Sequence, residues 1–228
     1  MNEKQLVGEK ATEFIKDGMV LGLGTGSTVF YTIAKLGEMV KEGLSVQGVP
    51  TSKATEALAK RVGIPLLEME DLEKIDLAID GADEVDTDLQ LIKGGGGALL
   101  REKIIAHHAD VFLVVADSSK YVTSLGRFPL PVEVVPFGWK QTIAGIREIG
   151  GRCTLRLLDG KPFITDNGNY IVDCHFGEIQ PARLAGRLNA LPGVVENGLF
   201  IDMADYVITQ QNGIPVILEK SKQSIDTE

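Results

Sequence analysis

The sequence predicts an α/β fold. It consists of a Rossmann-like, mostly parallel sheet with helices on both faces and a smaller α+β ferredoxin-like domain. Three observations predict it. The first half of the chain alternates short apolar segments with segments of helical period. The pattern changes at Pro129, where prolines begin to bracket a short strand. The segments that follow have the order βαββαβ, which is the ferredoxin-like unit.

The first half of the chain supplies the elements of the larger sheet. Strands that alternate with helices form parallel sheets whose two faces are both covered. The predicted strands are residues 19–23, 45–49, 64–67, 75–80 and 111–116. The predicted helices are residues 6–15, 29–40, 53–62 and 98–109.

The βαββαβ unit begins with a strand between Pro129 and Pro136. The next helix carries Trp139 on its apolar face, and Pro181 opens a second helix. The other three strands are predicted at residues 152–158, 169–176 and 194–201.

Two final apolar segments predict how the chain ends. Residues 206–209 and 214–218 are expected to form a hairpin that returns to the larger sheet. The predicted domains are therefore residues 1–128 together with 203–228, and residues 129–202. Residues 221–228 are expected to be frayed.

Composition excludes several classes of protein. The net charge of -9 and the pI of about 4.9 disfavour a nucleic-acid binder. The longest apolar run, residues 111–116, is far too short to span a bilayer, so no membrane partner is expected. Cys153 and Cys174 are too few for a disulfide framework. We therefore expect them to be small core residues in a reducing cytoplasm.

Three loops follow predicted parallel strands, and ligands bind at the carboxyl edge of such sheets. The first loop, GLGTGST at residues 22–28, places glycines and hydroxyls before a helix, which suits a phosphate or a polyol. It half-matches the dinucleotide fingerprint, but Ser27 replaces the third glycine and no acid follows the second strand. A plain tight turn into a helix remains an equal alternative for this loop alone.

The second loop is DGADEVD at residues 80–86. Asp80 ends an apolar strand and should face the crevice, where a carboxylate can bind sugar hydroxyls or move protons. The spacing after Asp83 does not fit a calcium loop, and no nearby histidine completes a transition-metal set. A solvated acidic loop is the alternative.

The third loop is KGGGGALLREK at residues 93–103. Four successive glycines carry a high entropic cost, which is understandable where backbone amides must surround an anion. Lys93 before the glycines could stabilise an oxyanion, and Glu102 after them could act as a base on a carbon acid. The alternative for Glu102, between Arg101 and Lys103, is an ordinary helix-surface glutamate.

Taken together, these segments resemble the ribose-5-phosphate isomerase family of type A along nearly the whole chain. Gly97 departs from the family, in which alanine is common there. The resemblance rests on GLGTGST at 22–28, DGADEVD at 80–86, KGGGGALLREK at 93–103, ADSSK at 116–120, PLPVEVVP at 129–136, TDNGN at 165–169 and LPGVVENGLF at 191–200.

The resemblance implies an aldose–ketose isomerase of the non-oxidative pentose phosphate pathway that interconverts D-ribose 5-phosphate and D-ribulose 5-phosphate through an enediolate. It implies no metal, no cofactor and a cytoplasmic homodimer or homotetramer. The implied catalytic residues are Glu102 as proton acceptor, Lys93 at the enediolate oxygen, and Asp80 and Asp83. The implied substrate-binding residues are Thr25, Gly26, Ser27, Thr28, Asp80, Gly81, Ala82, Asp83, Lys93, Gly94, Gly95, Gly96 and Lys120, with a weaker match at Lys4.

Three alternatives belong to other functional classes. A sugar-phosphate sensor would keep the GTGST loop but lose Glu102 and Lys93, and both are present. A nicotinamide dehydrogenase is disfavoured by Ser27 and by the missing acid after the second strand. A sugar-phosphate deaminase or acyl-CoA transferase is disfavoured by the second and third loops occurring together.

Overall fold

The structure is a computed structural model that describes residues 2–220. The expected fraying of residues 221–228 therefore lies outside the described residues. The helices are α1 Glu3–Lys10, α2 Val29–Lys41, α3 Lys53–Val62, α4 Leu99–His108, α5 Trp139–Glu148 and α6 Pro181–Asn189. The strands are β1 Val20–Leu23, β2 Gln47–Pro50, β3 Leu77–Gly81, β4 Glu84–Val85, β5 Leu91–Ile92, β6 Phe112–Val115, β7 Leu130–Val134, β8 Arg152–Leu155, β9 Leu157–Leu158, β10 Lys161–Pro162, β11 Tyr170–His175, β12 Val194–Asn197, β13 Leu199–Phe200, β14 Tyr206–Gln211 and β15 Ile214–Glu219.

The larger sheet has six strands in the order β15-β14-β6-β3-β1-β2. All of its neighbouring strands are parallel except the terminal hairpin of β14 and β15, as predicted. Its strands alternate their side chains between two cores. On β6, Leu113 packs with α1 and α2, whereas Phe112 and Val114 pack on the opposite face with Ile105 of α4. Helices therefore cover both faces, as the apolar strands require.

The smaller sheet has four antiparallel strands in the order β12-β7-β11-β8. With α5 and α6 between the strands, its chain order is βαββαβ, which confirms the predicted fold class. Its core is a separate cluster that includes Val132, Ile146 and Leu188. A three-stranded sheet, β13-β5-β4, joins this region to the loops of the larger sheet. The exact domain boundaries stay a prediction.

Three predicted strands differ in the structure. Residues 64–67 form no strand but only a bridge between Gly48 and Leu66, because Pro65 has no N–H to donate to a ladder. The strand predicted at 152–158 is interrupted at Arg156, and the strand predicted at 194–201 is interrupted at Gly198. Each interruption divides one predicted strand between two sheets.

The prediction for the two cysteines was half wrong. Both side chains are buried in the core of the smaller sheet, as expected. However, they are joined by a disulfide, because Cys153 of β8 lies directly opposite Cys174 of β11 in the antiparallel register. Sequence spacing alone cannot show this register. None of the helices within residues 2–220 is long and apolar enough to cross a membrane.

Candidate active site

The candidate site is a pocket at the carboxyl edge of the larger sheet, where the three predicted loops meet. The first loop follows β1, the second follows β3, and the glycine loop, defined here as residues 93–97, leads into α4. The lining residues are Lys4, Thr25, Gly26, Ser27, Thr28, Gly81, Ala82, Asp83, Lys93, Gly94, Gly95, Gly96, Glu102, Asp117 and Lys120. Every sequence-predicted site residue except Asp80 lines this pocket.

Three charged side chains form a buried cluster beneath the pocket. The Lys93 Nζ lies 2.9 Å from Asp80 Oδ2 and 3.2 Å from Glu102 Oε2. All three side chains are at most 4% exposed. Lys93 also donates a hydrogen bond to the Gly81 carbonyl. Glu102 is therefore not an ordinary helix-surface residue, although its neighbours in sequence are charged.

The cluster holds two carboxyl groups against one ammonium group, and this imbalance sets the pKa of Glu102. Burial, followed by the negative charge of Asp80, raises that pKa from 4.5 to about 8 against the opposing effect of Lys93. Burial also raises the pKa of Asp80, against the opposing effect of Lys93. Burial lowers the pKa of Lys93, but the two carboxylates outweigh it and the Lys93 pKa is raised. A carboxyl with a pKa near neutrality can both accept and return a proton.

Asp80 is fixed from the other side by the first loop. Its Oδ1 accepts hydrogen bonds from the N–H of Thr25 at 3.0 Å and of Gly81 at 2.7 Å. Gly24 permits this approach, because a Cβ at that position would lie 2.2 Å from Asp80 Oδ1. The expected contact between Asp80 and a sugar stays a prediction, since its oxygens face Lys93 and these amides.

Asp83 connects the second loop to the glycine loop. Its Oδ2 accepts a hydrogen bond from the Gly95 N–H at 2.7 Å. Unlike Asp80, Asp83 lies on the pocket surface, where a carboxylate can accept hydroxyl protons. The two aspartates of one short motif therefore occupy different places, one beneath the pocket and one facing it.

The far end of the pocket is cationic. The Lys4 Nζ donates to Ser27 Oγ at 2.9 Å, and Lys120 lines the same pocket. Thr28, which also lines this end, is the N-cap of α2, a helix of 13 residues. Two lysines and a helix N-terminus can bind a phosphate in a protein whose net charge is negative.

Sequence reasoning missed a group of hydroxyls behind the first loop. The Thr25 Oγ1 lies 2.7 Å from the hydroxyl oxygens of Thr51 and Ser52 and 2.9 Å from that of Thr55. The Thr25 hydroxyl is therefore engaged in this cluster. The available signal was the segment PTSKAT after β2, which was considered only for its missing carboxylate.

Asp117 was also missed. It lines the pocket from the end of β6, and its Oδ1 accepts the Ser119 N–H at 3.2 Å. Its position at the carboxyl end of a parallel strand, within ADSSK, was the signal that could have identified it. Within the described residues, no group of three or more His, Cys, Asp or Glu side chains is arranged to hold a metal ion.

The fold and the site together define the class of protein: an α/β protein with a buried lysine–carboxyl cluster at the carboxyl edge of its parallel sheet. The model of one family, ribose 5-phosphate isomerase A (phosphoriboisomerase A), matches residues 47–213. The chain belongs to this family.

Two relatives are similar along nearly the whole chain. Ribose-5-phosphate isomerase A of Bacillus mycoides is 55% identical over 217 residues, covering 94% of this chain and 98% of the relative. The protein of the same name from Bacillus cereus strain ATCC 10987 is 58% identical and covers 94% and 99%.

Solved structures agree with the fold. Ribose 5-phosphate isomerase A from Methanocaldococcus jannaschii has a TM-score of 0.91 at 44% identity, covering 95% of this chain and 98% of that one. A D-ribose-5-phosphate isomerase in complex with phospho-erythronic acid has a TM-score of 0.93 at 43% identity, covering 96% and 100%.

Proposed function

We propose that this chain is an aldose–ketose isomerase that interconverts D-ribose 5-phosphate and D-ribulose 5-phosphate in the non-oxidative pentose phosphate pathway, with Glu102 as its base. The single observation that carries the assignment of roles is the buried pair of Glu102 and Lys93, 3.2 Å apart and facing the pocket. An aldose–ketose conversion needs one group that accepts and returns a proton and one that stabilises the charge on oxygen.

Glu102 transfers the proton between the two carbons. In the open-chain aldose, the Glu102 carboxylate takes the proton from C2, the C1–C2 double bond forms, and the electrons of the C1 carbonyl move to its oxygen. The Glu102 acid then returns the proton to C1, while the hydroxyl proton passes from the C2 oxygen to the C1 oxygen. One carboxyl group serves both carbons because it lies over one face of the planar enediolate, within reach of C1 and C2.

Lys93 stabilises the negative charge of the enediolate. Its ammonium group is buried, so it acts where the effective dielectric constant is low. Asp80 acts through Lys93, which it holds at 2.9 Å, and Asp83 binds the hydroxyls of the sugar from the pocket surface. The peptides of Gly81, Ala82, Gly94, Gly95 and Gly96 complete the wall around the reacting carbons.

The cationic end of the pocket binds the phosphate. Ser27, Thr28, Lys4 and Lys120 surround this end together with the N-terminus of α2. Thr25 and Gly26 line the part of the pocket that holds the sugar between its phosphate and the reacting carbons. The positive charges of Lys4 and Lys120 and the N-terminus of α2 are concentrated at this end of the pocket. This explains how a protein with a net charge of -9 binds an anionic sugar.

The test is ketose formation from ribose 5-phosphate, with EDTA present and no added cofactor. We expect the parent to be active and Glu102→Gln to lose about 10²–10⁴-fold in turnover, the usual contribution of a placed base. The variant should still bind the sugar phosphate, because the phosphate groups are unchanged. Glu133→Gln is the matched control, since Glu133 is equally buried but does not line the pocket.

Other outcomes would overturn parts of the proposal. Near-normal turnover of Glu102→Gln would remove Glu102 from the role of base. A parent that binds the sugar phosphate without converting it would be a sensor that shares the fold. Loss of turnover on treatment with EDTA, restored by a divalent cation, would contradict a metal-free reaction.

We further propose the domain division, assembly and location expected from the sequence. Separate sheets and cores support domains at residues 1–128 with 203–228 and at residues 129–202. Exposed Leu157, Leu158 and Ile164 on the smaller domain support a homodimer or homotetramer, which analytical ultracentrifugation would test. A cytoplasmic location accords with the pathway. The disulfide is unusual for a reducing compartment. Thiol titration of protein taken directly from intact cells would test whether the disulfide forms there.

A further inference from the structure

The side of the glycine loop that faces away from the pocket contacts the smaller sheet. Arg156 stands at the interruption between β8 and β9 and reaches across to this loop. Its Nη1 donates hydrogen bonds to the carbonyl oxygens of Gly94 and Gly95, each at 3.0 Å. Arg156 is the only side chain within the described residues that donates a hydrogen bond to these two carbonyls.

Arg156 is itself held in place from two sides. Its Nε donates to Asp173 Oδ2 at 2.9 Å, and its Nη2 donates to Asp173 Oδ1. This two-bond pairing fixes the plane of the guanidinium group. The ring of Phe163 lies 5.9 Å from the guanidinium carbon. The same ring lies 2.4 Å from where a Cβ on Gly97 would be, so the loop and the smaller domain are closely packed.

Peptide geometry connects the two carbonyls to the pocket. The peptide bonds of residues 2–220 are trans, so each carbonyl points away from the N–H of the following residue. Holding the Gly94 and Gly95 carbonyls against Arg156 therefore directs the N–H groups of Gly95 and Gly96 to the opposite side of the loop. The Gly95 N–H accordingly meets Asp83.

The Gly96 N–H is the donor left over by this arrangement. Within residues 2–220 it has no acceptor, although Gly96 lines the pocket beside Lys93. A free, preoriented backbone donor next to a buried ammonium group is suited to a negative charge that develops during the reaction. The Gly97 N–H also donates to the Gly94 carbonyl at 2.9 Å, whereas within the described residues the Gly95 carbonyl accepts only from Arg156. Without Arg156, the glycine peptide that carries the Gly96 N–H would sample more conformations.

We infer that Arg156 is a positioning residue that orients the Gly95 and Gly96 amides, so that the Gly96 N–H stabilises the enediolate together with Lys93. This inference rests on the proposed isomerase function. The smaller domain thereby contributes to catalysis without touching the substrate. The positive charge of Arg156 behind both peptides strengthens their N–H groups as donors.

The experiment compares Arg156→Ala and Arg156→Lys with Arg152→Ala. Arg152 is an exposed arginine on β8 that, within the described residues, donates no side-chain hydrogen bond to the glycine loop, so it is the matched control. We expect kcat for ribose 5-phosphate to fall about ten- to a hundredfold in Arg156→Ala, less than for loss of a donor itself. Arg156→Lys should also lose kcat, because an ammonium group cannot replace the planar fork. KM should change little.

Two further measurements distinguish positioning from structural support. Phospho-erythronic acid carries a carboxylate where the enediolate carries its charge, so its affinity should fall with kcat in Arg156→Ala. Affinity for inorganic phosphate should not fall. Millimolar guanidinium chloride should restore part of the kcat of Arg156→Ala only, since the Arg156 side chain is 16% exposed and its space is accessible.

A folded Arg156→Ala protein with unchanged kcat would overturn the inference. A loss of kcat that guanidinium does not restore, and that occurs without weaker binding of phospho-erythronic acid, would also overturn it. That pattern indicates structural support alone. An inactive parent would refute the proposed function instead. In that case the affinity of Arg156→Ala for phospho-erythronic acid would still decide whether Arg156 orients the amides.

Discussion

Two glutamates of this protein are equally buried but have different neighbours. Glu102 is 3% exposed and lies on α4 at the edge of the parallel sheet, with Lys93 and Asp80 as its charged neighbours. Glu133 is fully buried on β7 of the smaller sheet. Its Oε1 accepts hydrogen bonds from three neutral side chains, those of Thr165, Asn167 and Asn169.

The comparison shows that two equally buried carboxyl groups can have very different electrostatic surroundings. The charge state of Glu102 depends on the charges of Lys93 and Asp80, so a proton can enter or leave the cluster at modest cost. Glu133 instead ties the loop of residues 165–169 to the sheet. That loop reaches the larger domain, where Asp166 accepts the Lys53 N–H at 2.8 Å. The role proposed for Glu102 is proton transfer, whereas Glu133 stabilises the architecture around the site.

The largest effect that would sharpen this contrast is expected from Lys93→Met. Removing the ammonium group should lower kcat by about 10²–10³-fold, the usual loss when a donor to a developing oxyanion is removed. KM should rise much less, because Lys93 is not at the phosphate end. Steady-state kinetics on ribose 5-phosphate would measure both constants.

The pH at which Lys93→Met is assayed matters, because Asp80 and Glu102 then share a buried site without a cation. One of the two should bind a proton more tightly, so kcat should be followed across a range of pH. Weaker binding with unchanged turnover would make Lys93 a phosphate anchor and would remove the distinction drawn here between the two buried glutamates.

Part of this contrast could be predicted from the sequence, because Asp80 ends a parallel strand and the glycine-rich segment with Lys93 and Glu102 was expected at the same edge of the sheet. Loops after such strands meet at one edge whatever the details of packing. The burial of Glu102 could not be predicted, since its neighbours Arg101 and Lys103 are typical of a helix surface. Burial depends on how α4 packs, which is a tertiary property.

The contact between the smaller domain and the glycine loop could not be predicted from the sequence, for a similar reason. Arg156 is separated from Gly94 by 62 residues, and its contact depends on how the two sheets are placed. Cys153 and Cys174 likewise meet only through the register of β8 and β11. Local patterns indicate elements and loops, whereas contacts between distant elements require the three-dimensional arrangement.

A smaller effect is expected in the pH dependence of kcat/KM. The base form of Glu102 is required, and its pKa is raised to about 8, so kcat/KM should rise with pH up to that value and fall about tenfold per pH unit below it. Asp80→Asn removes a negative charge that raises this pKa. The acidic limb should therefore move to lower pH in that variant.

A pH profile of kcat/KM for the parent and for Asp80→Asn would test this. Glu133→Gln should keep the limb of the parent, because Glu133 belongs to a different core. A limb that stays in place in Asp80→Asn would show that the charges around Glu102 do not set its proton affinity.

The last effect is on stability, and its dependence on pH separates the two glutamates. The pKa of Glu102 is about 8 when folded and 4.5 as the ordinary value, so its contribution to stability is complete below 4.5 and is lost as pH rises through 8. Gln mimics the protonated form. Glu102→Gln should therefore gain stability relative to the parent between pH 5 and pH 8, by on the order of 4 kcal/mol at most.

Glu133→Gln should instead lose stability, because its amide would place a donor where Glu133 Oε2 has no partner within the described residues. A buried polar group without a partner costs about 1–3 kcal/mol. Thermal unfolding of the parent and both variants at pH 5 and pH 8 would measure the difference. If Glu102→Gln followed the parent at both pH values, the Glu102 proton would be held no more tightly in the folded chain than in the unfolded one. The cluster would then lack the near-neutral acid on which the proposed proton transfer depends.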